Sequence, residues 1–125
     1  MKLSVFVVTY NQEQYISQTL DSILMQQLDE PIEIVIGNDS SSDSTQAICE
    51  EYKKRNPNLI RLFYHKKNLG LVQNFIAMVK ECRGEYIALC DGDDYWIDEY
   101  KLQKQVDILR KEANCVLVHT HRTLL

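Results

Sequence analysis

The 125-residue chain has only four glycines, Gly37, Gly70, Gly84 and Gly92, and two prolines. Neither a G-x-G-x-x-G fingerprint nor a Walker loop can be written from those glycines, so both glycine-rich phosphate cradles are excluded. No apolar run approaches the roughly 18 residues of a membrane helix. The opening apolar stretch, Leu3 to Val8, is too short for a signal peptide. Tyr10-Asn11-Gln12-Glu13 stands where a small-residue cleavage site would be. Basic residues are in the minority, 14 Lys+Arg against 18 Asp+Glu, for a formal net charge of −4. That balance argues against a nucleic-acid partner, which demands a basic face, while leaving local anion sites open. The four cysteines, Cys49, Cys82, Cys90 and Cys115, form no C-x-x-C pair, which argues against zinc. They read as reduced thiols of a cytoplasmic protein, three of them within apolar patterns.

What is present fits a globular chain: 45% apolar and 26% charged residues, without repeats or a linker. We read residues 1–125 as one domain in which strands and helices alternate. Leu3 to Val8 is a buried strand. Asn11 with Gln14 is expected to form a capping box for a helix carrying Ile16, Leu20, Ile23, Leu24 and Leu28, stopped by Pro31. A second strand, Ile32 to Ile36, leads through Asn38–Ser42 to a helix started by Asp43 and ended at Asn56-Pro57-Asn58. Leu59 to Tyr64 is a third strand. Leu71, Phe75, Met78, Val79 and Cys82 mark a helix ended by Gly84. Tyr86 to Cys90 is the fourth strand, and a helix from about Asp98 turns Leu102, Val106 and Leu109 inward. Cys115 to Val118 is expected as a fifth strand. Such alternation means a doubly wound α/β fold, a mostly parallel sheet with helices on both faces.

Ligands of such sheets bind beyond the carboxyl ends of the strands. There the chain places Thr9-Tyr10-Asn11, Asn38-Asp39-Ser40-Ser41, His65–Gly70 and Asp91–Trp96. The last segment packs Asp91, Asp93 and Asp94 into four residues. Carboxylates so crowded must take up protons or share a cation. Hard oxygen ligands suit Mg2+ or Mn2+, ions that also bind phosphates. Gly92 allows a tight turn between Asp91 and Asp93. An ordinary helix-capping turn explains the same string about as well. Asp39 either accepts hydrogen bonds from a base or ribose or forms an Asx-turn. Thr9 and Tyr10 are candidates for a base pocket. Asp43 is expected to be a helix cap, Lys66 and Lys67 to be solvated, and Trp96 either to wall a sugar pocket or to pack behind the turn.

In order and spacing these segments resemble the family 2 glycosyltransferases of the GT-A fold. Ser4–Asn11 resembles the family's first strand and base-binding turn. Glu33–Thr45 resembles its second strand and acidic turn, Asn68-Leu69-Gly70 its Asn-x-Gly, and Asp91-Gly92-Asp93-Asp94 its D-x-D-D metal motif. The resemblance implies a nucleotide-sugar site of Thr9, Tyr10, Asn11, Asp39, Asn68, Asp91 and Gly92, with Asp91 and Asp93 as ligands of Mn2+ or Mg2+. It implies a UDP- or dTDP-sugar donor and a saccharide or lipid-linked acceptor, as in cell-surface polysaccharide biosynthesis. A cytoplasmic location follows, peripheral to the inner face of the membrane for a longer protein.

The chain departs from the family pattern at Val8 for Pro, Asn38 for the first Asp, Ser40 for Gly and Gln73 for Arg. No residue matches the family's catalytic base, which is expected beyond residue 125 in an acceptor-binding half, so the chain is expected to be a truncated portion. Two other readings are weighed. A sugar-nucleotidyltransferase needs a glycine- and basic-rich loop where Asn11-Gln12-Glu13-Gln14 stands. A non-catalytic receiver module needs acidic residues at the first strand and a phospho-acceptor Asp after the third, where His65-Lys66-Lys67 stands. Sugar, acceptor, stereochemistry and oligomeric state are not legible.

Overall fold

The computed structural model describes residues 3–112. The expected strand Cys115–Val118 lies outside these residues. The element order is β1 (Leu3–Thr9), α1 (Ile16–Leu24), β2 (Ile32–Asn38), α2 (Thr45–Arg55), β3 (Ile60–Tyr64), α3 (Leu71–Glu81), β4 (Tyr86–Asp91) and α4 (Lys101–Lys111). All described strand pairs are parallel, in the order β3-β2-β1-β4. This is the α/β architecture that the alternation implies.

Side chains alternate across the sheet and meet helices on each face. Val5, Val7, Ile34, Ile36 and Cys90 pack with Ile16, Leu20 and Ile23 of α1, Cys49 and Tyr52 of α2, and Leu102 and Val106 of α4. Full burial of each such aliphatic side chain contributes about 1.5–3 kcal/mol. The other face joins Phe6, Val8 and Val35 to Met78 of α3, and Phe6 meets Phe75 edge-on at 5.0 Å between ring centroids. Gly37 brings α3 close: a Cβ there would lie 2.4 Å from Asn74 Oδ1 and 2.5 Å from Met78 Cγ.

Several helix ends differ from expectation. Asn11 does not cap α1. It adopts a left-handed φ of 49°, and its Oδ1 accepts the Ser42 N–H at 2.8 Å. The Gln12 carbonyl instead accepts the Tyr15 and Ile16 N–H groups, each at 2.9 Å. The helix ends at Leu24, before Pro31, and Leu28 packs on the core from the following loop. The α3 helix stops at Glu81. Gly84 is needed for close approach rather than as a cap, since a Cβ would lie 2.5 Å from the Ser4 nitrogen. Asp98 precedes α4 by a turn and accepts the Tyr100 N–H at 2.9 Å.

At the amino end of the sheet a buried polar cluster takes the place of apolar packing. Glu33, 2% exposed, accepts hydrogen bonds from Ser4 Oγ (2.5 Å), the Arg83 N–H (2.6 Å) and Arg61 Nη1 (3.2 Å). Arg61 also reaches Glu81 Oε2 at 2.9 Å. Burial works to raise the Glu33 carboxyl, yet bonds from Ser4, Arg83 and Arg61 hold it below its ordinary value.

Candidate functional site

The strand order reverses direction at β1, and ligands settle at such switch points. Val8 pairs with Gly37 of β2 on one side and with Asp91 of β4 on the other, so the three strands end at one level. A cleft of about 350 Å3 opens there, walled by Val8, Thr9, Tyr10, Gln12, Asp39, Asn68, Gly70, Leu71, Asn74, Asp91 and Asp93. That volume falls within the range of small-molecule sites. The cleft brings together five of the residues singled out from the sequence at its β1, β2 and β4 walls, with Asn68 as a sixth.

The wall opposite the acidic turn is tied down by Asp39, which is 3% exposed. Its Oδ1 accepts the Leu69 N–H at 2.6 Å and its Oδ2 the Gly70 N–H at 2.9 Å. Asn68 Nδ2 donates to its carbonyl at 3.2 Å. Both alternatives for Asp39 are thereby refined. The carboxylate fixes a loop distant in sequence, and each oxygen keeps the capacity to accept a second bond. Gly70 takes a φ of 85°, a conformation suited to glycine, as the loop enters α3. Tyr10 stands half exposed on the rim. Thr9 is buried and donates its hydroxyl to Gln12 Oε1 at 2.7 Å.

Asn74 and His65 were not singled out from the sequence. Asn74 is 2% exposed and donates to the Gly37 carbonyl at 3.0 Å. Its Oδ1 lies 2.9 Å from His65 Nε2. With the amide hydrogens turned to Gly37, Oδ1 must accept, so Nε2 carries the His65 proton. An available signal was an asparagine four residues before Met78 on the buried face of an apolar helix.

Across the cleft lies the acidic turn. Asp91 is half-buried, Asp93 and Asp94 are exposed, and one potential ligand oxygen from each falls within 4.8 Å of the others. Burial, then Asp94, then Asp93, push the Asp91 carboxyl above its ordinary value. Among the described residues no positive side chain lowers it. The donor set therefore fits a hard divalent cation: three carboxylate oxygens converge, and among the described residues none is paired with a cation. Gly92 sits beneath the turn. Its N–H donates to the Val8 carbonyl at 3.0 Å, and a Cβ would lie 2.6 Å from Thr9 Oγ1. Close seating on β1 is thus what requires glycine there.

Asn11 and Gly92 are not among the residues that line the cleft. Asn11 joins the loop after β1 to the loop after β2, its N–H donating to Ser41 Oγ at 3.0 Å. Asp43, expected as the cap of α2, lies one residue before the N-cap Ser44. Its Oδ1 accepts the Thr45 N–H at 2.9 Å, where α2 begins. Burial opposes its charge, but bonds from Thr45 and Glu13 keep its carboxyl low. Trp96 packs against the core, with Lys101 Nζ 4.5 Å from its ring centroid. Lys66 and Lys67 are exposed. Among the described residues no helix is long and apolar enough to cross a membrane.

Comparison with known proteins agrees with this fold. The Glycosyl transferase family 2 model matches residues 4–123. An uncharacterized protein of Mycobacterium tuberculosis is 42% identical over 123 residues, 98% of this chain and 36% of its own. The uncharacterized glycosyltransferase EpsJ of Bacillus subtilis is 38% identical over 114 residues, 86% of this chain and 32% of its own. S. aureus TarS 1-349, solved in complex with UDP-GlcNAc, matches with a TM-score of 0.78 at 33% identity, covering 89% of this chain and 32% of that one. Mannosyltransferase PcManGT from Pyrobaculum calidifontis, solved with GDP-Man and Mn2+, has a TM-score of 0.78 at 26% identity, over 86% and 32%. The chain spans about a third of the length of the curated relatives it matches. A parallel sheet reversing at β1, an acidic turn at its mouth and a family match over nearly every residue lead to one assignment: the chain belongs to glycosyl transferase family 2.

Proposed function

We propose that the cleft binds a nucleoside-diphosphate sugar of the UDP or dTDP type, and that the longer protein transfers its sugar to a saccharide or lipid-linked acceptor. The observation that carries this reading is the converged acidic turn that shares one small cleft with Asp39 and Tyr10. Tyr10 offers an exposed ring for the base. Asp39 offers its remaining lone pairs to the base or ribose while holding the Asn68–Gly70 loop against them. Thr9, locked by Gln12, shapes the floor. Asn11 and Gly92 act from behind, keeping the loop after β1 and the acidic turn in place.

Asp91 and Asp93 would hold Mn2+ or Mg2+, with Asp94 beside them. When bound, the ion neutralises diphosphate charge and stabilises the departing nucleoside diphosphate. The protein's own part is to hold these carboxylates converged, where a cation would offset the repulsion that raises Asp91. TarS and PcManGT support the donor class through their bound UDP-GlcNAc and GDP-Man, and PcManGT supports Mn2+. We place the longer protein in the cytoplasm, at the inner face of the membrane, in polysaccharide synthesis, and read residues 1–125 as its donor-binding domain.

Titration calorimetry with UDP in the presence of Mn2+ and then of a chelator tests the reading. Binding is expected only with the metal. Equal affinity in chelator would remove the acidic turn from the site.

A further inference from the structure

Thr19 stands in the inward stripe Ile16, Thr19, Leu20, Ile23 of α1 and is 1% exposed. A hydroxyl at such a position is kept when it is bonded. Its oxygen lies 3.0 Å from the Gly92 carbonyl oxygen and also bonds the Asp94 carbonyl. The Tyr15 carbonyl, 3.3 Å away, already accepts the Thr19 backbone N–H. The hydroxyl's nearer acceptors are the carbonyls of Gly92 and Asp94, which bracket Asp93 and share the hydroxyl's single proton. One side chain from a helix grips the acidic turn on both sides of its middle residue. Two backbone bonds complete the hold, from the Gly92 N–H to Val8 and from the Asp94 N–H to Asp91, each at 3.0 Å.

We propose that Thr19 is a positioning residue. Its hydroxyl fixes the backbone from Gly92 to Asp94 and so makes the carboxylates of Asp91, Asp93 and Asp94 converge. The consequence for metal binding rests on the cation reading given above, whereas the consequence for the turn itself does not. Groups that orient metal ligands from behind typically alter affinity by 10–100-fold when removed.

The test uses Thr19→Val, close in shape but without the hydroxyl, and Thr19→Ser, which keeps it. Thr19→Ala replaces the Val variant should that fail to fold. Two readouts are needed: hydrogen exchange of the Gly92 and Asp94 amides in metal-free protein, and Mn2+ affinity with UDP present, from the free-Mn2+ resonance signal. Thr19→Val is expected to speed exchange at both amides and to weaken Mn2+ binding roughly tenfold, with Thr19→Ser close to the unsubstituted chain. Unchanged exchange in a folded Thr19→Val protein overturns the assignment, as does Thr19→Ser failing to the same degree. If the unsubstituted chain takes up no Mn2+, the cation reading falls and amide exchange alone decides the role of Thr19.

Discussion

Replacing Asp91 with Asn is expected to stabilise the metal-free protein while removing its response to metal. Ligand-capable oxygens of Asp91, Asp93 and Asp94 lie within 4.8 Å of one another. Two unit charges at that spacing repel by just under about 1 kcal/mol in a water-like dielectric. Asp93 and Asp94 are exposed, so salt and solvent reduce this further. Relief of two such pairs, with the burial cost of one charge, comes to about 1 kcal/mol after screening. For a chain of this length that is roughly 3–5 °C in Tm. The pH dependence has a definite sign. Burial and the neighbouring carboxylates raise the Asp91 carboxyl, so the native state binds more protons than the unfolded one. The unsubstituted protein therefore loses stability as pH rises through the Asp91 titration. The advantage of D91N is full above that range and gone below about pH 4. Millimolar Mn2+ reverses the order at neutral pH, raising the Tm of the unsubstituted chain alone, and this shift fades as protons compete for Asp91. Scanning calorimetry in chelator, in Mn2+ and across pH measures all three. D91N melting below the unsubstituted chain in chelator, or an equal Mn2+ shift in both, refutes the reasoning.

The amino-end cluster makes a contrasting case. Glu33→Gln puts an amide N–H2 where donors converge, at a cost of about 2 kcal/mol at neutral pH by urea denaturation. Glu33 is held low, so its contribution is present above the ordinary glutamate range and lost as pH falls through its depressed pKa. The gap between the two proteins should narrow in acid, with UDP affinity unchanged at neutral pH. Gly92→Ala forces a Cβ to 2.6 Å from Thr9 Oγ1 and 2.8 Å from Thr9 Cβ, costing about 1–3 kcal/mol. It is expected to weaken Mn2+-dependent UDP binding, and calorimetry showing unaltered affinity would count against the seating of the turn on β1. Ser40 holds a left-handed φ of 62°, so Ser40→Gly should gain about 0.5 kcal/mol, the relieved strain less the added chain entropy. Loss of stability on urea titration would contradict this.

Much of the frame was legible because apolar spacing reports burial directly. Ile16, Leu20 and Ile23 repeat at helical intervals and are indeed buried against β1 and β2. Strand ends carried the polar groups of the cleft, so Asp39, Tyr10 and Asp91 could be named before their meeting was visible. Helix starts were less legible. Asn11 has the chemistry of a cap, but its side chain serves a loop thirty residues away, a choice set by tertiary structure. Glycines were legible as necessary and illegible as to why, because close approach at Gly37, Gly84 and Gly92 depends on a neighbour not adjacent in sequence. Asn74, His65 and Thr19 act through backbone carbonyls or one another, and no local pattern marks such partners.

The register of β1 has a bearing on how this domain can change over time. Val8 sits level with Gly37 and Asp91 at once, so the Asp39 wall of the cleft and the acidic turn share a single ruler. Slipping that strand by one residue would turn its side chains over and misplace both faces together. Variation that leaves β1 alone and alters only the loops can retune either face by itself, which makes the loops the natural place for the cleft's preferences to diverge.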